Sequence, residues 1–129
     1  MGAPSLAFTL LPASLAVCRL GRTAPVPAWV PGDPFVSITR TNDELSVICD
    51  EAAVPGDVVA ARGWRCLKLE GSFDFSVTGL VASFAGALAD DGISLMVVCT
   101  YDTDYLLVRS PDLDRTIASL ERSGHRVRR

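Results

Sequence analysis

Between Arg65 and Val127 the spacing of apolar residues keeps switching between a two-residue and a three-to-four-residue period, and this succession constrains the fold more than any other property of the chain. Arg65-Cys66-Leu67-Lys68-Leu69-Glu70 alternates as a half-buried strand does, and Gly71 ends it. Val77, Leu80, Val81, Phe84 and Leu88 then line one side of a helix of about four turns. Asp74 or Ser76 is placed to cap its start, and Asp90-Asp91-Gly92 marks its end, the glycine suiting a left-handed position. Gly79 and Gly86 each cost this helix roughly 1 kcal/mol against alanine, and Gly86 reads as close packing of helix on sheet. The apolar run from Ile93 to Cys99 predicts a strand, and Tyr105 to Val108 pairs back onto it. Ser110-Pro111-Asp112-Leu113 then opens a second helix whose stripe is Leu113, Ile117 and Leu120. Gly124 closes it, and His125-Arg126-Val127 can return as a short strand. The order is β-α-β-β-α-β, a split arrangement of α+β class.

The first half repeats part of this pattern at an offset of sixty, laying Thr41-Asn42-Asp43-Glu44-Leu45 over Tyr101-Asp102-Thr103-Asp104-Tyr105 and Glu44 over Asp104. Leu15 to Leu20 with Gly21 matches the strand that ends at Gly71. The proline-rich stretch from Thr23 to Pro34 stands where the helix would be, so this copy is degenerate. Pro55-Gly56-Asp57-Val58-Val59-Ala60 would form its short second helix. The expected lobes are 1–63 and 64–129, with Leu6 to Leu11 completing a sheet by exchange.

Composition narrows the function classes. With 129 residues, 49% of them hydrophobic, the chain can bury a real core. A net charge of −3 with scattered arginines gives no nucleic-acid footprint, and Arg126, Arg128 and Arg129 read as a solvated tail rather than a phosphate site. The apolar stretch from Leu6 to Val17 lacks a basic residue ahead of it, contains Pro12 and offers no small-residue cleavage site, so it reads as structure rather than a secretion signal. No segment is long enough to span a bilayer. Cys18, Cys49, Cys66 and Cys99 form no C-x-x-C pair and are expected as buried free thiols in the cytoplasm. His125 is the only histidine, which leaves a zinc site short of ligands, and neither Asp90-Asp91 nor Asp102 with Asp104 offers a full magnesium shell. No cofactor is implied. There is no phosphate-binding glycine loop, no G-x-S-x-G and no histidine paired with a nucleophile, so enzyme chemistry is not expected.

Thr100-Tyr101-Asp102-Thr103-Asp104-Tyr105 sets two carboxylates and two aromatic rings in a tight turn between apolar strands. Such a turn can hold a small cationic or zwitterionic ligand, although acids in turns are commonly just solvated or accept backbone N–H groups. Glu70, at a strand end, either reaches water or holds a ligand amine. Phe73 and Phe75 can simply pack the helix entry.

With Gly63-Trp64-Arg65-Cys66-Leu67-Lys68-Leu69-Glu70-Gly71 before the first helix and Thr100 to Val108 after it, the chain resembles small tandem ACT-domain proteins over Leu15 to Val127. These are relatives of the arginine-sensing CASTOR proteins and of the regulatory lobes of aspartate kinase. The resemblance implies two ferredoxin-like lobes, the first degenerate, with antiparallel sheets and helices on one face. It also implies a regulatory module that binds an amino acid at an interface between lobes, forms a homodimer and reports to a protein partner. The implied ligand residues are Glu70, Gly71, Ser72, Phe73, Asp74 and Phe75 at the helix entry, where backbone amides suit a carboxylate, and Thr100, Tyr101 and Asp104 in the turn. Asp102 is expected to face solvent. The chain departs from the family in lacking a fused catalytic domain and its first helix. The alternative reading is an interaction module that binds no ligand.

Overall fold

The computed structural model describes residues 5–71 and 79–129. In the second half the strand β4 (Ala60–Leu69) is followed by α1 (Ala82–Asp90), β5 (Leu95–Cys99), β6 (Asp104–Arg109), α2 (Leu113–Arg122) and β7 (Arg126–Arg128), the β-α-β-β-α-β order read from periodicity. Before it come β1 (Ala7–Leu20), β2 (Ser37–Arg40) and β3 (Leu45–Asp50). Packing divides the chain into two units, one of residues 5–11 with 65–129 and the other Pro12–Trp64.

In the first unit the strands lie in the order β7-β1-β4-β6-β5, so residues 7–9 of β1 stand between the last strand and β4. Their pairing with β7 is parallel, Phe8 opposite Val127. Leu67, Leu69, Leu106 and Phe8 meet Phe84 and Leu88 of α1 and Leu113, Ile117 and Leu120 of α2 in one buried cluster. The Phe8 and Phe84 rings pack edge to face at 5.4 Å and 87°, the arrangement the ring quadrupoles favour.

Both helices stop in the same way. Gly92 and Gly124 take φ of 73° and 93°, and the next residue reaches back five positions, Ile93 N–H to Leu88 and His125 N–H to Leu120. A glycine is needed because side chains disfavour that backbone region. At the other end, α1 begins at Ala82, later than the stripe from Val77 predicted, and Asp74, Ser76 and Val77 lie outside the described residues. Within the described part, Val81 precedes the helix without a side-chain cap, and Gly79 has φ of 79°.

The second unit is built from β2, β3 and the adjoining parts of β1 and β4, with Ala16, Cys18, Leu45, Val47 and Cys49 in its core. The proline-rich stretch forms no helix, yet Ala24, Trp29 and Val30 pack on that core where a helix was missing. The guanidinium of Arg40 holds this stretch by donating to the Arg22 and Ala24 carbonyls. The short helix expected over residues 55–60 is instead a turn, with Val58 N–H on the Pro55 carbonyl, and β4 begins at Ala60. Pro-Gly-Asp serves a turn as readily as a helix start, and two consecutive valines favour extended backbone. A 3-10 turn at Glu51–Ala53 comes earlier, capped by the Asp50 carboxylate on Ala52 N–H.

β1 runs unbroken through Pro12. On one edge its partner is β7 as far as Thr9 and β3 from Leu15, so the proline sits where the partner changes and no N–H is required on that edge. His125 fastens the start of this strand. Its buried ring accepts the Leu6 N–H at Nδ1, 3.0 Å, which leaves the hydrogen on Nε2 to donate to the Ser83 carbonyl at 2.9 Å.

Candidate functional site

The β5–β6 turn is fixed by threonines rather than by its acids. Thr100 N–H bonds the Thr103 carbonyl at 2.9 Å, the Thr100 hydroxyl bonds the same carbonyl at 3.1 Å, and Thr103 N–H returns to that hydroxyl at 3.4 Å. Thr41 does the same work in the β2–β3 turn, its N–H on the Glu44 carbonyl and its hydroxyl accepting from Asp43 and Glu44. Leu45 pairs with Arg40 as Asp104 pairs with Cys99. The internal repeat therefore has an offset of fifty-nine, not sixty, and Glu44 corresponds to Thr103 rather than to Asp104. The closing threonine sets the register, so aligning the acids misplaces it by one residue.

Thr103, which the sequence reading passed over, is buried and sends its hydroxyl 2.8 Å to the Leu69 carbonyl at the end of β4. That bond brings the turn to the strand end from which Glu70 and Gly71 emerge. Glu70 is half-buried with its N–H on the Ala7 carbonyl, and Gly71 is exposed with φ of 100°. Ser72, Phe73, Asp74 and Phe75 lie outside the described residues. Thr100 is exposed with its hydroxyl engaged in the turn, and Tyr101 is 81% exposed at the tip. Asp102 is also exposed, as expected. Asp104 is half-buried and accepts the Cys99 thiol hydrogen; burial first, and then this acid, raises the thiol's pKa. A thiol is a weak donor, which leaves the Asp104 carboxylate able to accept from a stronger one.

Cys99 is exposed, unlike the buried thiols expected of all four cysteines, because it lies at the end of β5 beside the open turn. Cys18, Cys49 and Cys66 are buried and free. Replacing Thr103 with valine keeps the shape but strands the Leu69 carbonyl, and is expected to cost about 1–2 kcal/mol, read as a lower denaturant midpoint at unchanged slope. Stability equal to that of the parent would show that the turn is not anchored through this hydroxyl.

On the side of the sheet away from the helices, Ala7, Phe8, Glu70, Arg126, Val127 and Arg128 line a crevice of about 260 Å³. Among the described residues no group of three or more His, Cys, Asp or Glu could hold a metal ion, and no helix is long and apolar enough to cross a membrane.

Comparison with known proteins adds to this geometry. A family model described as an ACT domain matches residues 59–122, and a model described as an N-terminal domain matches 13–57. A crystal structure of a protein from Agrobacterium tumefaciens is similar at 44% identity and a TM-score of 0.92, covering 97% of this chain and 93% of that one. The cytosolic arginine sensor for mTORC1 subunit 1 of Rattus norvegicus is 30% identical over 98 residues, which are 68% of this chain and 30% of that protein. The chain therefore spans under a third of that relative's length. Clostridium acetobutylicum aspartate kinase shares the fold, with a TM-score of 0.66 at 9% identity over 96% of this chain and 36% of the kinase.

Proposed function

Since this chain belongs to the ACT-domain family and is related to the cytosolic arginine sensors and the regulatory lobes of aspartate kinase, we propose that it is a non-catalytic amino-acid sensor. The ligand is held where ACT lobes of two chains meet in a cytoplasmic homodimer. Glu70 and Gly71, residues 72–75, Thr100, Tyr101 and Asp104 form the site. The observation that carries this reading is the 2.8 Å bond from Thr103 to Leu69, which gathers the acidic turn and the end of β4 into one place. Ligand then favours the assembly state in which the site is closed, by an amount equal to its differential affinity for the two states, and a protein partner reads that state.

A melting screen across the common amino acids tests it. One or a few should raise the melting temperature with concentration, by about 10 °C at a hundredfold excess over Kd. Asp104→Ala should weaken that binding roughly tenfold or more, as loss of a charge-assisted hydrogen bond does. A flat screen would favour the alternative of an assembly module without ligand. One feature supports that second reading: among the described residues β5 pairs with β6 alone and leaves Leu95, Met96, Val97 and Val98 only half-buried.

A further inference from the structure

The crevice on the helix-free side of the sheet has a distinctive charge arrangement. Phe8 and Val127 pack with the core, so alternation along the strands puts Ala7, Arg126 and Arg128 on the opposite side. Ala7 lies opposite Arg126 in the parallel pairing of β1 with β7, and its carbonyl takes the Glu70 N–H on its other side. One acid and two guanidiniums therefore flank a floor as small as a methyl group. Among the described residues no ion pair joins Glu70 to either arginine, whereas the neighbouring Arg129 is paired with Asp114 at 2.9 Å.

The dimensions suit a particular ligand. β7 and β4 are two strand spacings apart, roughly 10 Å. An α-amino acid lying across that gap spans roughly 9 Å from the acceptor on its ammonium to the donor on its carboxylate, hydrogen bonds included. Arg126 and Arg128 stand two residues apart along one strand face, roughly 7 Å, so two separate carboxylates can each meet a guanidinium.

We propose that this crevice binds a dicarboxylic amino acid, with its ammonium on Glu70 and its two carboxylates on Arg126 and Arg128. The charges then balance, two anions and one cation on the ligand against two cations and one anion on the protein. A basic amino acid would set its second cation against two guanidiniums, so arginine is rejected here. The inference rests on the amino-acid reading of the chain and goes beyond it: the crevice shares Glu70 with the site proposed above and is otherwise a separate pocket with its own anchors.

Calorimetry on the whole chain with L-glutamate, L-aspartate, L-arginine and glutarate tests it. L-glutamate or L-aspartate should bind with Kd below about 1 mM, while L-arginine should not bind and glutarate, lacking the ammonium, should bind at least about tenfold more weakly. Glu70→Gln, Arg126→Gln and Arg128→Gln should each weaken the acidic amino acid about tenfold or more, with the unliganded melting temperature unchanged. Binding of some other amino acid, or of an acidic one untouched by these three substitutions, would overturn this assignment and leave the sensor reading standing. No binding in a screen of all common amino acids would overturn both.

Discussion

Replacing His125 with alanine is expected to lower the unfolding free energy by about 3–5 kcal/mol, enough to remove a large part of the stability of a domain this size. The ring is buried against Phe8 at 6.2 Å between centroids and satisfies two backbone groups at once, the Leu6 N–H and the Ser83 carbonyl. Truncation leaves both without partners, at roughly 1–3 kcal/mol each, and opens a cavity beside Phe8. His125→Phe separates the two contributions, because it refills most of the space but restores neither hydrogen bond, and should recover only the cavity part. Urea melts would show it as a lower midpoint at constant slope. A loss under about 1 kcal/mol for the alanine variant would mean that the histidine is not a fastener between β1 and α1.

The second large effect is alkaline. Burial pushes the Cys66 thiol up to about 12 and the Cys49 thiol up to about 11, the latter helped by Cys18 beside it. Below about pH 9 the thiol is protonated whether the chain is folded or not, and the full stability is present. Between 9 and 12 the unfolded chain gives up the Cys66 proton while the folded chain keeps it, so stability falls as pH rises. Three units correspond to about 4 kcal/mol at the upper end, at about 1.4 kcal/mol each. The other cysteines ionise in an overlapping window, so the measurement is the difference in slope between the parent and Cys66→Ala. Equal slopes would refute the burial argument. At pH 8 a thiol alkylating reagent should modify Cys99 and leave the three buried thiols untouched until denaturant is added.

What could be read from the amino acids depended on the distance over which the controlling interactions act. The strand at Leu67 and Leu69, the stripe of Leu113, Ile117 and Leu120, and the glycine stops at Gly92 and Gly124 are local signals, and the structure places each of them as expected. Thr103 gave no such signal, because its partner is the Leu69 carbonyl thirty-four positions away. Asp104 was conspicuous by its charge, and the same charge invited an alignment that was off by one, since hydroxyls set the turn register. That residues 6–11 complete a sheet by exchange follows from a shortage of strands, not from any property of those residues, and only the fold shows that the sheet is the one of the second half. That a single β1 would run through Pro12 could not be foreseen, because the change from β7 to β3 on its edge is a property of the assembled sheet. The helix expected at residues 55–60 failed because a proline, a glycine and an aspartate are ambiguous without tertiary context.

The placement of Ala7 to Thr9 beside Arg126 to Arg128 has a consequence for biosynthesis. Leu6 and His125 are 119 positions apart, so at roughly 5–20 residues per second a nascent chain carries its first strand for something like 6–24 s before the last one is translated. Phe8 is fully buried in the finished protein, and until Leu67, Leu69 and Phe84 have been made it has none of these partners to pack against. A chain interrupted before α1 would therefore expose Phe8, the kind of product that chaperones and proteases are there to clear.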